Sequence, residues 1–125
     1  MKKLAVLIFA LLPLLACGKK LASEKDLYEQ ATKYESTQDY NKALECYQTI
    51  VDNYPKSENR YKALFMIAYI NSDYLKDIKK AIKCYEELLK EYPNCDLADD
   101  AQTLRAAAIS GRDLMSVFQD SVKTK

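Results

Sequence analysis

From residue 24 onward the apolar positions recur with the period of a helix. Ala43, Tyr47, Ile50, Val51 and Tyr54 fall at steps of three and four and form one stripe, while Lys42, Glu45, Gln48 and Asp52 face the other way. Ala81, Tyr85, Leu88, Leu89 and Tyr92 repeat that stripe. Pro55 and Pro93 follow the two stripes, and each disfavours helical geometry in the residue before it, so both helices are expected to end there. Upstream of each lies another helical pattern, Leu27, Ala31 and Tyr34 in one case and Leu64, Phe65, Ile67, Ala68 and Ile70 in the other. Ser23 or Glu24, and Ser57 or Glu58, are the expected starts of these helices. A fifth helix is predicted from Leu97 to Ser110, carrying Ala101, Leu104 and Ala108 and closed by Gly111 as its C-cap. Leu114, Met115, Val117 and Phe118 predict a short closing helix, and residues 119–125 a polar, frayed tail. No alternating run of branched residues is bounded by a tight turn, so no strand is expected.

The helices are organised by an internal repeat. Shifted by 38 positions, Tyr40-Asn41-Lys42-Ala43-Leu44-Glu45-Cys46-Tyr47 lies over Ile78-Lys79-Lys80-Ala81-Ile82-Lys83-Cys84-Tyr85, and the match continues to Tyr54-Pro55 over Tyr92-Pro93. The fold class is therefore all-α, with about two and a half helical hairpins stacked as a solenoid, each burying its apolar face only against its neighbours.

The chain opens differently. Lys2-Lys3 precede an apolar run from Leu4 to Leu15, as in a secretory signal, and that run is too short to span a bilayer, which takes about 20 residues. The run leads into Leu14-Leu15-Ala16-Cys17, which resembles the lipobox of bacterial lipoproteins. That resemblance implies a signal peptide over 1–16, a lipidated tether over 17–23 whose first residue, Cys17, carries a diacylglyceryl group, and a repeat domain over 24–118. With roughly 0.8 kcal/mol gained per buried methylene, two or three acyl chains hold a small domain durably on a membrane. Residues Gly18 to Ser23 allow a reach of roughly 25 Å, so the domain is expected to work close to the bilayer. Gly18 rather than aspartate after the cysteine leans toward the outer membrane, facing the periplasm.

Charge and chemistry narrow the function. Without Lys2 and Lys3 the mature part holds 17 basic against 18 acidic residues, and this balance gives no reason to expect nucleic acid. Once Cys17 is acylated, Cys46, Cys84 and Cys95 are an odd number, which excludes a full disulfide framework. Cys46 and Cys84 recur at matched positions and are expected to be small buried core residues rather than a bridge or a metal site. Histidine is absent, so the commonest general base and metal ligand near neutral pH is missing. Gly18 and Gly111 cannot build a phosphate loop, Asp99-Asp100 and Glu86-Glu87 sit among polar positions as solvated faces do, and nothing evident would activate the Cys95 thiol. No catalytic residue, cofactor or metal is expected.

The hairpins resemble tetratricopeptide repeats. Small residues sit on the first helices at Ala31, Ala68 and Ala106 and on the second at Ala43 and Ala81, each of the latter followed four places on by Tyr47 or Tyr85 and then by Pro55 or Pro93. The period of 38 exceeds the usual 34, and the turn around Tyr74 to Asp77 is one residue longer than its counterpart in the first repeat. In these departures, and in Tyr92-Pro93-Asn94-Cys95-Asp96-Leu97-Ala98, the chain is similar to the repeats of BamD-like outer-membrane assembly lipoproteins and of YbgF-like proteins associated with Tol-Pal. The resemblance implies a concave groove on the first helices, lined by Lys25, Tyr28, Thr32 and Glu35, then Lys62, Phe65, Tyr69 and Asp73, then Asp100 and Thr103, which holds a protein or peptide partner in envelope assembly. Capture of a glycan or other solute on Tyr28, Phe65 and Tyr69 is the alternative. Tyr47, Tyr54, Tyr85 and Tyr92 are expected to serve packing alone.

Overall fold

Each helix begins and ends where its local chemistry changes. The computed structural model describes residues 21–111, and the helices there are α1 (Glu24–Ser36), α2 (Tyr40–Asn53), α3 (Asn59–Asp73), α4 (Ile78–Glu91) and α5 (Ala98–Ser110). The signal segment with Cys17, the closing helix and the tail lie outside the described residues. Ser23 caps α1, its hydroxyl accepting the Asp26 N–H at 3.2 Å. Ser57 accepts the Asn59 N–H at 2.9 Å at the start of α3. Asp39 and Asp77 cap α2 and α4 by accepting from the Lys42 and Lys80 amides at 3.4 and 3.2 Å. Before the prolines, Tyr54 and Tyr92 leave helical geometry, and Gly111 closes α5 in the left-handed conformation at φ 68°. The two hairpin turns differ by the expected extra residue, and each turns on a non-glycine residue in left-handed geometry, Gln38 at φ 59° and Lys76 at φ 58°.

Consecutive helices pack side by side, so α2 lies between α1 and α3, and α4 between α3 and α5. Ala31, Ala43, Ala68 and Ala81 are each 0 % exposed, and their small side chains let neighbouring backbones come close. The flanks of these crossings are filled by Tyr47 and Tyr85, also 0 % exposed, with Ile50 and Leu88 beneath them. No strand occurs among the described residues.

Arg60 fastens one hairpin to the next. Its side chain is 11 % exposed and donates from Nε to the Val51 carbonyl at 3.1 Å, one of the carbonyls left open at the end of α2. Its other nitrogens reach Glu87 at 3.1 Å, Glu91, and the Tyr92 hydroxyl at 3.3 Å. One guanidinium thus ties α2, α3 and α4 together. The Arg105–Glu86 pair, at 2.6 Å, holds α5 against α4 but is far more exposed.

Two expectations require correction. Ala106 is exposed; the small buried residues of α5 are Ala98, Ala101, Ala107 and Ala108. The first helices recur at 37 rather than 38 residues, as Leu27, Leu64 and Ala101 show, so the counterpart of Ala31 and Ala68 is Arg105, and Ala106 is turned about 100° away from it. Cys46 and Cys84 are only half-buried, packed on the flank of the core one position before its tyrosines. Partial burial pushes both thiols above their ordinary value.

Enlarging a crossing therefore separates the buried alanines from the exposed one. Ala68→Leu is expected to lower unfolding free energy by about 1–3 kcal/mol through overpacking. Ala106→Leu should stay within about 0.5 kcal/mol of the parent. Urea denaturation of both variants checks this, and equal losses would contradict the register.

Candidate partner-binding surface

The candidate surface is built from the first helices and completed by tyrosines that reach it from elsewhere. On α1, Tyr28 is half-buried and meets the Tyr47 ring edge-on, with centroids 5.5 Å apart at 70°. On α3, Phe65 meets Tyr85 in the same way, at 5.9 Å and 71°. The two repeats thus seat an aromatic of the first helix on the buried tyrosine of the second, in the edge-to-face arrangement that ring quadrupoles favour. Glu35 accepts a hydrogen bond from the Tyr47 hydroxyl. Partial burial raises the Glu35 carboxyl above its ordinary value, against the opposing pull of that bond. Burial also raises the Tyr28 hydroxyl, with the Glu35 charge adding to the effect.

At the hairpin-turn end a second aromatic group bridges the repeats. Tyr40, the first residue of α2, stacks on Tyr74 at the end of α3, with centroids 4.1 Å apart at 16°, and Tyr74 in turn meets Tyr69 edge-on at 5.9 Å. Desolvation raises the Tyr40 hydroxyl first, the neighbouring Tyr74 next, and the charges of Glu35 and Asp73 last. Tyr69 is pushed up to about 12, chiefly by burial and then by Asp73. Tyr40 therefore stands within electrostatic reach of one acid from each repeat.

The residues singled out by the sequence separate into two sets. Glu35, Tyr69 and Asp73 gather around Tyr40 and Tyr74, while Tyr28 rests on Tyr47 beside Glu35 and Phe65 rests on Tyr85. Lys62 is half-buried, its ammonium 5.8 Å from the centre of the Tyr61 ring. Lys25, Thr32, Asp100 and Thr103 are exposed. Lys25 pairs with Glu29 at 3.9 Å, and the Thr32 and Thr103 hydroxyls donate to the Glu29 and Asp99 carbonyls on their own helices at 2.9 and 3.0 Å.

Tyr40 and Tyr74 were not legible as surface residues, because neither occupies a groove position of the repeat. The only signal for them was an aromatic placed inside the lengthened turn. Of the tyrosines assigned to packing, Tyr54 donates to the Ala22 carbonyl at 2.7 Å and Tyr92 receives Arg60. Tyr47 and Tyr85 are core residues whose hydroxyls still approach the candidate surface. Among the described residues no group of three or more His, Cys, Asp or Glu is placed to hold a metal ion.

A scan against known protein families matches the tetratricopeptide repeat twice, over residues 25–57 and 62–94, which is more than half of the chain. The chain belongs to the tetratricopeptide repeat family. Neither the search of curated proteins nor that of solved structures returns a match. Tetratricopeptide repeats generally mediate protein–protein interaction, and the two matched units are the α1–α2 and α3–α4 hairpins. They contain the whole aromatic surface.

Two outcomes follow from the buried hydroxyls. Tyr47→Phe removes a bond to a half-exposed carboxylate and is expected to cost about 1–2 kcal/mol, whereas Tyr85→Phe removes a buried hydroxyl that has no partner and should be neutral or stabilising. Chemical denaturation of the pair reads the difference, and equal costs would contradict it.

Glu35 provides a pH test. Its pKa is raised in the folded state, so its stabilising contribution is fully present below the ordinary carboxylate value and is lost as pH rises through the raised one. As pH rises from the ordinary carboxylate value through the raised one, stability relative to Glu35→Gln should therefore fall for the parent chain. A pH-independent difference in denaturation midpoint would contradict this assignment.

Proposed function

We propose that this chain is a membrane-anchored, non-catalytic interaction module of the bacterial cell envelope, which holds a protein or peptide partner along the first helices of its repeats. The observation that carries the reading is the set of half-buried aromatics on the first helices of both repeats, Tyr28, Phe65 and Tyr69, with the stacked Tyr40 and Tyr74 at the hairpin-turn end. Aromatic side chains supply large contact areas at little conformational cost and dominate the energetics of such interfaces. The lipid anchor is Cys17, within Leu14-Leu15-Ala16-Cys17, and the short tether keeps the surface near its membrane, the outer membrane by the Gly18 rule. No helix among the described residues is long and apolar enough to cross a bilayer. The role proposed is assembly or maintenance of the envelope, as in the lipoproteins that the sequence resembles.

Two measurements test the reading. Labelled palmitate is expected to enter the parent chain and not Cys17→Ser, and the variant should leave the membrane fraction. Affinity capture from solubilised membranes should recover one specific protein, and the double variant Tyr28→Ser, Tyr69→Ser should reduce that recovery at least about tenfold while its circular dichroism stays unchanged. Recovery of a glycan with no protein would favour the solute-capturing alternative. No label in the parent chain would overturn the anchor.

A further inference from the structure

The two repeats treat the same buried hydroxyl differently. Tyr47 and Tyr85 are repeat equivalents, both 0 % exposed, and an acid stands 12 residues before each, Glu35 in the first case and Asp73 in the second. Glu35 accepts the Tyr47 hydroxyl, which closes the site in the first repeat. Asp73 is one methylene shorter, and the Tyr85 hydroxyl has no hydrogen-bond partner. A buried polar group without a partner is costly and uncommon in folded proteins. Tyr69 and then Asp73 act electrostatically on that hydroxyl.

The surroundings select the charge of what could fill the gap. Among the described residues neither Asp73 nor Glu35 takes part in an ion pair. Tyr40, stacked on Tyr74, lies within reach of both acids, and Tyr69 stands nearly perpendicular to Tyr74, at 78°. Two acids, a phenol oxygen and ring faces at right angles to one another complement a cation that is planar and donates several hydrogen bonds. A guanidinium fits this better than an ammonium, because it donates to two acceptors at once and stacks on tyrosine.

We infer that Asp73, Glu35, Tyr85 and the rings of Tyr40, Tyr69 and Tyr74 form a seat for one arginine side chain of the partner protein. The arginine donates to the Asp73 carboxylate, lies against the tyrosine faces and gives the unpartnered Tyr85 oxygen a donor. Glu35 contributes charge from the neighbouring repeat while remaining the acceptor of Tyr47. This assignment rests on the proposal that the surface binds a protein, and it names the residue type that the partner presents at the turn end.

The probe is N-acetyl-arginine amide, titrated into the purified full-length chain in detergent and followed by NMR of the tyrosine rings. Its neutral near-isostere, N-acetyl-citrulline amide, is the control. The arginine probe is expected to give saturable shifts at Tyr40, Tyr69 and Tyr74, with citrulline at least about tenfold weaker and Asp73→Asn about tenfold weaker for arginine. Tyr74 is 46 % exposed, so Tyr74→Ala is a second variant that leaves the core intact, and it should weaken arginine binding as well. Equal shifts from both probes, or unchanged arginine binding by folded Asp73→Asn and Tyr74→Ala, would overturn the seat. If Asp73→Asn still captures the specific partner at full yield, the seat falls and the binding surface stands. If the arginine probe binds as expected while no protein is ever captured, the seat stands and the proposed function falls.

Discussion

Close approach of helices at four alanines is the constraint on which the rest of this structure depends. Ala31, Ala43, Ala68 and Ala81 admit no solvent, and any longer side chain there would push the helices apart. Alanine suits the position twice over, since it is small and is also the best helix former, whereas glycine would give the same clearance at a loss of roughly 0.5–1 kcal/mol in helix stability. Where the backbones converge, the space beside them is filled by one aromatic per repeat, Tyr47 or Tyr85. The aromatics of the first helices then rest on these rings. Core packing and surface shape are in this way set by the same side chains.

A repeat array is only as continuous as its junctions. Here the junction between hairpins is carried by apolar contact between α2 and α3 and by Arg60, which closes an open carbonyl of α2 while reaching two acids and a tyrosine of α4 and its cap. Because Arg60 is nearly buried, its partners are part of its solvation, and removing one of them would leave charge poorly satisfied. The matching junction with α5 is lighter. Arg105 reaches a single glutamate there, and Ile109 remains 57 % exposed on the last described turn.

Much of this architecture was legible in the chain. Helical periodicity, prolines after Tyr54 and Tyr92, and the recurrence of Ala43 and Tyr47 as Ala81 and Tyr85 located four helices and their pairing, and Gly111 ended the fifth. Ala106 falls off the buried face because the first helices recur every 37 residues, as Ala31 and Ala68 do, one fewer than the second helices. A single position rotates a helical side chain by about 100°, enough to exchange a buried face for an exposed one. For the candidate surface, position on the first helix identified Tyr28, Glu35, Phe65, Tyr69 and Asp73. It did not identify Tyr40 and Tyr74, whose stacking arises only when two turns from different repeats meet. Nor did it show that the Tyr85 hydroxyl lacks the partner that Tyr47 possesses.

If the alanine crossings and the Arg60 junction join the hairpins as described, the two repeats open together. Native-state hydrogen exchange of the full chain tests this most directly. Amides near Ala43, Ile50, Ala68, Ala81 and Leu88 should share one opening free energy close to that of global unfolding, with α5 opening at lower cost. Persistent protection of α3 and α4 under conditions where α1 and α2 have already exchanged would contradict the account, since it would mean that each hairpin stands alone.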